Sequence, residues 1–276
     1  MLYRKNIVIR IAVITAFIFI SSLIYSQQYN SVFIERDSID INNHIYKTGT
    51  AFVFDYEIIR GNDTLKLKYN NSNRSAGKPF DYSFEYANIN DSNIGIDKIV
   101  LLVKEIKKRT NENQTQIFYL QRPDYPGCSG TGVVENSVNV WLHPIRDKYF
   151  SALQACPFPY IKRKVKIGGT WKDAMLIGYG SSENTGEWKG RVVLHYTYKI
   201  VGKKTISTKL GDIETSVIES KAKSKYFTTY LTSYFSEIYG FVRLEYTLVN
   251  GIKINFWIDS IEKEAELHPR CDFFNY

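Results

Sequence analysis

The feature that most constrains the fold of this chain is an alternation of apolar and polar residues with a period of two. The clearest example lies in residues 191–201, where apolar side chains occupy every second position. These are Val192, Leu194, Tyr196, Tyr198 and Ile200. Because successive side chains of a β-strand point to opposite faces, the pattern predicts a strand with one buried face and one solvent-facing face.

Shorter apolar runs between turn residues predict further strands along most of the chain. They cover residues 99–107, 116–121, 138–142 and 213–219. One short helix is predicted over residues 146–155, where Phe150 and Leu153 have helical spacing. Pro157 follows and ends it. Many strands and one helix predict a mainly β protein, either an antiparallel β sandwich or a half-open barrel.

Residues 52–69 predict a hairpin with a defined register. Pairing Ile58 with Leu65 leaves Gly61-Asn62 as the loop, and a two-residue loop that begins with glycine fits a type II′ turn. The same register continues through two more apolar pairs, Tyr56 with Leu67 and Phe54 with Tyr69.

Residues 241–259 predict a second hairpin, whose loop length follows from the apolar pattern. A two-residue turn at Asn250 and Gly251 would mix apolar and polar side chains on each face. A loop of residues 249–251 instead forms three apolar pairs, Leu248 with Ile252, Tyr246 with Ile254, and Leu244 with Phe256. Because a slip of one residue reverses every face, the longer loop is predicted, with Gly251 in the left-handed conformation.

The first 26 residues have the layout of a secretory signal peptide, with a basic opening followed by an apolar run. The apolar stretch, residues 11–25, is shorter than the ~20 residues that a membrane-spanning helix needs. Cleavage after Ser26 would make Gln27 the N-terminus and lower the formal charge from +8 to +5, since the segment carries three basic residues and no acid. This predicts a secreted or periplasmic protein without a transmembrane span; an uncleaved anchor is the alternative.

Beyond the signal peptide, a single β-rich domain is predicted over residues 27–264, with a C-terminal tail over residues 265–276. The stretch RPDYPGCSG, residues 122–130, is rich in turn residues. It predicts a boundary that would divide the domain into two β layers or subdomains.

Three cysteines lie in the exported part, and an oxidising compartment allows one disulfide among them. We favour Cys128 with Cys156, whose roughly 30-residue loop would contribute about 3–4 kcal/mol in the chain-entropy model. Cys271 would then be a spare thiol on the tail. Three independent thiols are the alternative, because spacing does not determine pairing.

The stretch His143-Pro144-Ile145-Arg146-Asp147 gathers a histidine, an arginine and an aspartate within five positions. His143 could act as a general base oriented by Asp147, with Arg146 beside them. The competing interpretation is a corner at which a strand becomes a helix, because Pro144 lacks an N–H and Asp147 suits a helix N-terminus. Triads are recognised by geometry and not by adjacency, so the corner is favoured.

Aromatic residues make up 15% of the chain, and tyrosine or tryptophan on a β surface can bind sugar rings or apolar ligands. The alternative is cross-strand packing. The candidates for ligand binding lie in the strand-like segments of the second half: Tyr196, Tyr198, Tyr230, Tyr234 and Trp257.

The lysine-rich residues 160–172 suit either a polyanion surface or an edge strand that blocks sheet-to-sheet aggregation, and the edge strand is favoured. The four histidines lack metal-ligand spacing, so neither a metal nor another cofactor is predicted. Export makes nucleic acid an unexpected partner.

Several segments together resemble an uncharacterised family of secreted bacterial envelope proteins over residues 126–262. They are CSGTG, NVWLHPIR, PFPYIK, GGTW, LGDIETSVIE and YFSEIYGFVRLEYT. The resemblance implies a β-rich fold, distantly similar to the curved-sheet carriers of periplasmic lipoproteins, and an envelope location. Ile145 stands where the family pattern has a second proline. The family has no established activity, so the resemblance assigns no catalytic residue.

These observations favour a non-enzymatic exported β protein that binds an apolar, lipid-like or glycan ligand, or an envelope protein partner. The alternative is an envelope-directed hydrolase centred on His143, Arg146 and Asp147.

Overall fold

The computed structural model describes residues 43–70, 83–89, 95–104, 114–122, 128–146, 148–178 and 190–263. The predicted signal peptide and the C-terminal tail lie outside these residues. The described part contains a 3₁₀ helix, Lys148–Ala155, and fourteen strands: β1 Ala51–Arg60, β2 Asp63–Asn70, β3 Ser83–Asn88, β4 Lys98–Val103, β5 Thr115–Arg122, β6 Cys128–Glu135, β7 Asn139–Leu142, β8 Tyr160–Lys162, β9 Thr170–Ile177, β10 Val192–Thr208, β11 Gly211–Lys223, β12 Thr228–Ser236, β13 Gly240–Thr247 and β14 Lys253–Glu262.

All fourteen strands belong to one antiparallel sheet. Its order is β8-β7-β6-β5-β4-β1-β14-β13-β12-β11-β10-β9, with β2 branching from β1 and β3 pairing with β2. The edge strands β8 and β9 do not pair, yet the rings of Tyr160 and Trp171, one on each edge, lie 5.7 Å apart. The sheet therefore curls until its edges approach without closing. The prediction of a mainly β, antiparallel, half-open architecture is confirmed.

The concave face of the curled sheet carries the core, because the alternating apolar side chains point inward. The 3₁₀ helix packs against this face. The Phe150 ring lies 5.6 Å from that of Tyr56 and 5.7 Å from that of Phe256, and all three side chains are buried. Such aromatic pairs contribute about 0.5–1.5 kcal/mol each beyond the area that they bury. The helix therefore fills part of the interior that the sheet encloses.

The helix differs from its prediction in type and in start. It begins at Lys148 and not at residue 146, and it is a 3₁₀ helix. Three residues per turn align positions three apart. Phe150, Leu153 and Cys156 lie three apart and are fully buried. Tight winding thus directs three apolar side chains to one side, toward the sheet.

The β13–β14 hairpin has the predicted register. Leu244 pairs with Phe256 and Tyr246 with Ile254, and the loop is closed by a hydrogen bond from Leu248 N to Ile252 O of 2.8 Å. Gly251 has a φ of 80°, so its left-handed conformation is also confirmed.

The β1–β2 hairpin has the predicted loop but only part of the predicted register. Ile58 pairs with Leu65, but the predicted pairs of Tyr56 with Leu67 and of Phe54 with Tyr69 are wrong, because β4 takes the place beside β1 and pairs with Phe54. The Tyr56 hydroxyl lies between the separating strands. It accepts a hydrogen bond from Leu67 N at 3.0 Å and donates one to Ile96 O at 2.9 Å.

The predicted boundary at residues 122–130 falls between two neighbouring strands of the same sheet. β5 extends to Arg122 and β6 begins at Cys128, and the two pair along their length. Residues 123–127 lie outside the described part of the chain.

Candidate functional site

A cavity lies on the concave face, between the sheet and the segment that joins β7 to the 3₁₀ helix. The free space there totals about 330 Å³ when the part open to solvent is counted, and the enclosed part has room for only about one or two water-sized molecules. Its lining is apolar except for two tyrosine hydroxyls: Phe54, Ile99, Leu101, Tyr119, Leu142, Pro144, Ile145, Leu153, Leu244, Tyr246 and Phe256.

Strands β1, β4, β5, β13 and β14 form the floor of this cavity, and the segment after β7 forms its roof. The floor residues are the inward-pointing members of alternating strands. One hydrogen bond joins the two parts: the Tyr119 hydroxyl, on the floor, donates to the carbonyl of His143 in the roof at 2.8 Å. The roof is therefore held at a fixed height above the sheet.

The Tyr246 hydroxyl differs from that of Tyr119, because it is buried and no described protein group hydrogen-bonds to it. Burial raises the pKa of Tyr246 well above its ordinary value, so the group stays a neutral hydroxyl. Leaving a buried polar group without a partner costs about 1–3 kcal/mol. Tyr246 is one of the residues that line the cavity, and its hydroxyl oxygen is itself fully buried.

A second group of buried polar atoms lies beside the cavity, toward the edge strand β9. The Tyr198 ring stacks on the Trp171 ring at 5.3 Å with an interplanar angle of 4°. The hydroxyls of Tyr196 and Tyr198 and the indole N–H of Trp171 are all buried without a hydrogen-bond partner among the described residues. Asp173, opposite Tyr196 in β9, has a pKa raised to about 6 by burial. The interior thus becomes more polar toward this edge.

The predicted ligand-binding residues lie on two different faces. Tyr196 and Tyr198 point into the core and do not line the cavity. Tyr230 is 48% exposed on the outer face, where the register also places Tyr234 and Trp257. The fold does not bring the five together, because successive residues of a strand point to opposite faces of the sheet.

Of the predicted catalytic residues, the structure describes His143 and Arg146. His143 is buried, with its ring 4.8 Å from that of Phe158, and its Nδ1 lies 2.8 Å from the carbonyl of Pro144. Nδ1 must therefore carry the proton and donate it. Burial lowers the pKa of His143 to about 4. Arg146 is exposed and donates to Gly130 O at 2.9 Å, and Asp147 lies outside the described residues.

Cys156 is a free, buried thiol, so the predicted disulfide with Cys128 is not formed in this structure. Cys156 follows the 3₁₀ helix and faces the sheet, close to Thr229, whose hydroxyl donates to the carbonyl of Ala155 at 2.7 Å. Burial raises the pKa of the Cys156 thiol to about 12. Cys156 packs in the core as an apolar side chain. The length of the loop between Cys128 and Cys156, on which the disulfide prediction rested, could not reveal this. Cys271 lies outside the described residues.

The lysine-rich stretch occupies both edges of the sheet. Lys162 ends β8 and Lys172 lies in β9, so the edge-strand interpretation is confirmed. Between them, Arg163 donates to Asn136 O at 2.7 Å and pairs with Glu237 at 3.0 Å. This arginine fastens the connection between the edges and is not free for a polyanion.

No local sequence pattern indicates Glu135, a buried carboxylate that holds the start of the described chain. Its two oxygens accept hydrogen bonds of 3.0–3.1 Å from the backbone N–H groups of His44, Ile45 and Tyr46. Its backbone partners lie 89–91 positions away, which is why local pattern could not identify it.

Within the described residues, no three of His, Cys, Asp and Glu lie close enough together to hold a metal ion. In the same part of the chain, no helix has the length and apolar character to cross a membrane.

No protein-family model and no curated protein matches this sequence. A Bacteroides fragilis protein described as exported, with a YmcC-like fold, is 9% identical with a TM-score of 0.39, over 80% of this chain and 99% of its own. The lipoprotein YmcC from Escherichia coli K12 is 11% identical with a TM-score of 0.36, over 76% and 84%. A Parabacteroides distasonis protein described as a lipoprotein is 10% identical with a TM-score of 0.37, over 81% and 100%. Similarity at this level assigns no function to this chain.

Proposed function

We propose that this chain is an exported, non-enzymatic protein of the bacterial cell envelope that binds an apolar, lipid-like ligand in its concave cavity. The observation that carries the proposal is the cavity between the sheet and its roof, with an apolar lining and one unengaged hydroxyl, that of Tyr246. The N-terminal sequence pattern supports export.

The lining of the cavity suits a slender apolar molecule. The enclosed space has room for only about one or two water-sized molecules, so an apolar chain enters only as the roof and floor side chains move apart. Each CH₂ group that leaves water contributes about 0.8 kcal/mol. An acyl or prenyl segment could therefore gain its affinity from Leu101, Leu244 and Phe256 on the floor and Ile145 on the roof.

The tyrosine pair adds a preference for an oxygen on the ligand. Tyr119 already donates its proton to His143 O, whereas Tyr246 does not donate to any described protein group. A carbonyl, ether or hydroxyl oxygen placed near Tyr246 would satisfy it. A lipid with an ester or a carboxyl group fits this arrangement better than a pure hydrocarbon does.

The test is to export the protein in a bacterial host, purify it, and ask whether a lipid from the cell envelope remains bound to it. We expect mass spectrometry of the gently purified protein to reveal a retained lipid, and a fluorescent fatty-acid analogue to bind to the emptied protein. Leu101→Trp fills the cavity and should abolish binding. Leu120→Trp is the matched control, because Leu120 lies on the next strand but packs on the other face of the sheet.

The proposal fails if neither lipid nor analogue binds to a folded wild-type protein, or if both tryptophan variants bind equally well. Retention of a glycan and not of a lipid would favour the glycan alternative. Binding of an envelope protein alone would indicate that the ligand is macromolecular.

A further inference from the structure

The strand register places exposed lysines and tyrosines in one row on the outer face of the sheet. Lys221 of β11 lies opposite Tyr230 of β12, Tyr230 lies opposite Thr247 of β13, and Thr247 lies opposite Lys253 of β14. The adjacent residues Ala222 and Leu231 are buried, so the row faces outward. Lys223 extends it toward the β11–β12 turn.

This end of the outer face is basic. Lys221, Lys223, Lys225 and Lys253 are exposed, and none of them forms an ion pair with a described residue. The first acidic side chains on β11 and β13, Glu219 and Glu245, lie one row further from the turn. We call the four lysines together with Tyr226 and Tyr230 the basic face.

The two tyrosines of the basic face are presented on a rigid support. Tyr226 is 50% exposed and Tyr230 is 48% exposed. The turn that carries Tyr226 is fixed because the Ser224 hydroxyl accepts hydrogen bonds from the backbone N–H groups of Tyr226 and Phe227, both at 3.1 Å, and Phe227 is buried. Lys225 Nζ lies 4.6 Å from the centre of the Tyr226 ring.

We propose that the basic face docks this protein on an anionic phospholipid bilayer, a role that goes beyond ligand binding in the cavity. The four lysines complement lipid phosphates, because the negative surface potential of an anionic bilayer attracts basic side chains near it. The tyrosine rings suit the headgroup level, where one end of the ring is apolar and the other is wet. An acidic polysaccharide would also attract the lysines, and its sugar rings can stack on tyrosine, so it is the alternative that the vesicle test has to exclude.

The test is cosedimentation of the exported protein with vesicles of phosphatidylcholine, with and without phosphatidylglycerol. We expect binding only to the anionic vesicles, weakened by salt. Lys221→Ala, Lys223→Ala and Lys225→Ala together should lower the partition coefficient about a hundredfold. A variant with Tyr226→Trp should show additional fluorescence quenching by brominated lipid. A hydrophobic N-terminal anchor would also attach the protein to neutral vesicles, so the difference between the two vesicles isolates the basic face.

The matched control removes three lysines elsewhere on the exposed surface: Lys47, Lys164 and Lys166. It should leave binding within a few-fold of the wild type, and both triple variants should keep the wild-type circular dichroism spectrum. Equal losses in the two triple variants would mean that only net charge matters and would overturn the proposal. So would binding to an acidic polysaccharide with no binding to anionic vesicles. Neither result depends on whether the cavity holds a lipid.

Discussion

At the scale of single residues, the interior shows how position decides the role of identical side chains. Tyr119 and Tyr246 line the same cavity, but only the hydroxyl of Tyr119 has a described partner, the carbonyl of His143. Similarly, Asp173 lies on the inward side of an edge strand, where its carboxyl group is largely removed from water. The difference between the two tyrosines and the burial of Asp173 both arise from contacts between distant parts of the chain, and the effect of each on stability can be measured.

We expect Tyr246→Phe and Tyr119→Phe to change stability in opposite directions. Tyr246→Phe removes a buried hydroxyl without a described partner and should raise the free energy of unfolding of the ligand-free protein by about 1 kcal/mol. Tyr119→Phe removes a hydrogen bond and leaves the carbonyl of His143 unpaired, so it should lower that free energy by about 1–2 kcal/mol. Urea denaturation of both variants measures the difference; equal destabilisation would show that the Tyr246 hydroxyl is satisfied in solution.

We expect the stability of the protein to fall as pH rises through the pKa of Asp173. The folded pKa is about 6, above that of about 4 for an unfolded aspartate. The folded state is therefore favoured at low pH, where the carboxyl group is protonated, and it loses this advantage between about pH 4 and pH 6.

Asp173→Asn removes this dependence. The variant should be more stable than the wild type by about 2 kcal/mol at pH 8, and the gap should shrink toward zero near pH 4. Thermal unfolding across this range provides the measurement, with the exposed Asp63→Asn as control. A gap that does not change with pH would contradict the burial of the Asp173 carboxylate.

At the scale of elements, the glycines distinguish local turn chemistry from contacts across the sheet. Gly251 requires its left-handed conformation for the β13–β14 loop, and a Cβ there would meet no atom within 4 Å. Gly132 in β6 is needed for a different reason: a Cβ there would clash with the side chain of Gln114. The first reason can be read from the sequence, and the second depends on which strand becomes the neighbour.

We expect Gly251→Val to destabilise the protein by about 1–3 kcal/mol, because a β-branched residue is strained at a φ of 80°. Gly202→Val is the matched control. Gly202 also has open space around it but is not in the left-handed region, so its substitution should change the free energy of unfolding by less than about 1 kcal/mol. Chemical denaturation of the two variants tests this, and similar losses would argue against backbone strain as the cause.

At the scale of the whole molecule, local alternation predicted the class of fold but not the neighbours of each strand. The β13–β14 register follows from the apolar pattern because a short loop joins the two strands. The start of β6 was predicted to be a boundary because Gly130 and Gly132 interrupt its apolar pattern. β9 was not predicted as a strand because Lys172 and Asp173 break its apolar pattern. The pairing of β1 with both β4 and β14 joins residues far apart in sequence, which no local signal contains.

The same distance explains why the cavity could not be predicted. Its lining comes from six strands, from the roof segment and from the 3₁₀ helix, and only the curl of the sheet brings them together. The alternation placed Tyr196 and Tyr198 on one face of their strand, and Tyr246 on one face of the β13–β14 hairpin, but it did not show which face would enclose empty space.

The curl itself follows from a single connection. β8 and β9 are the first and last strands of a twelve-strand path, yet they are consecutive in the chain and joined by residues 163–169. Laid flat, eleven strand spacings would hold the two edges about 53 Å apart, whereas eight steps of extended backbone reach only about 27 Å. Because the connection is so short, the sheet cannot lie flat. The same connection limits the width of any molecule that the curled sheet can enclose.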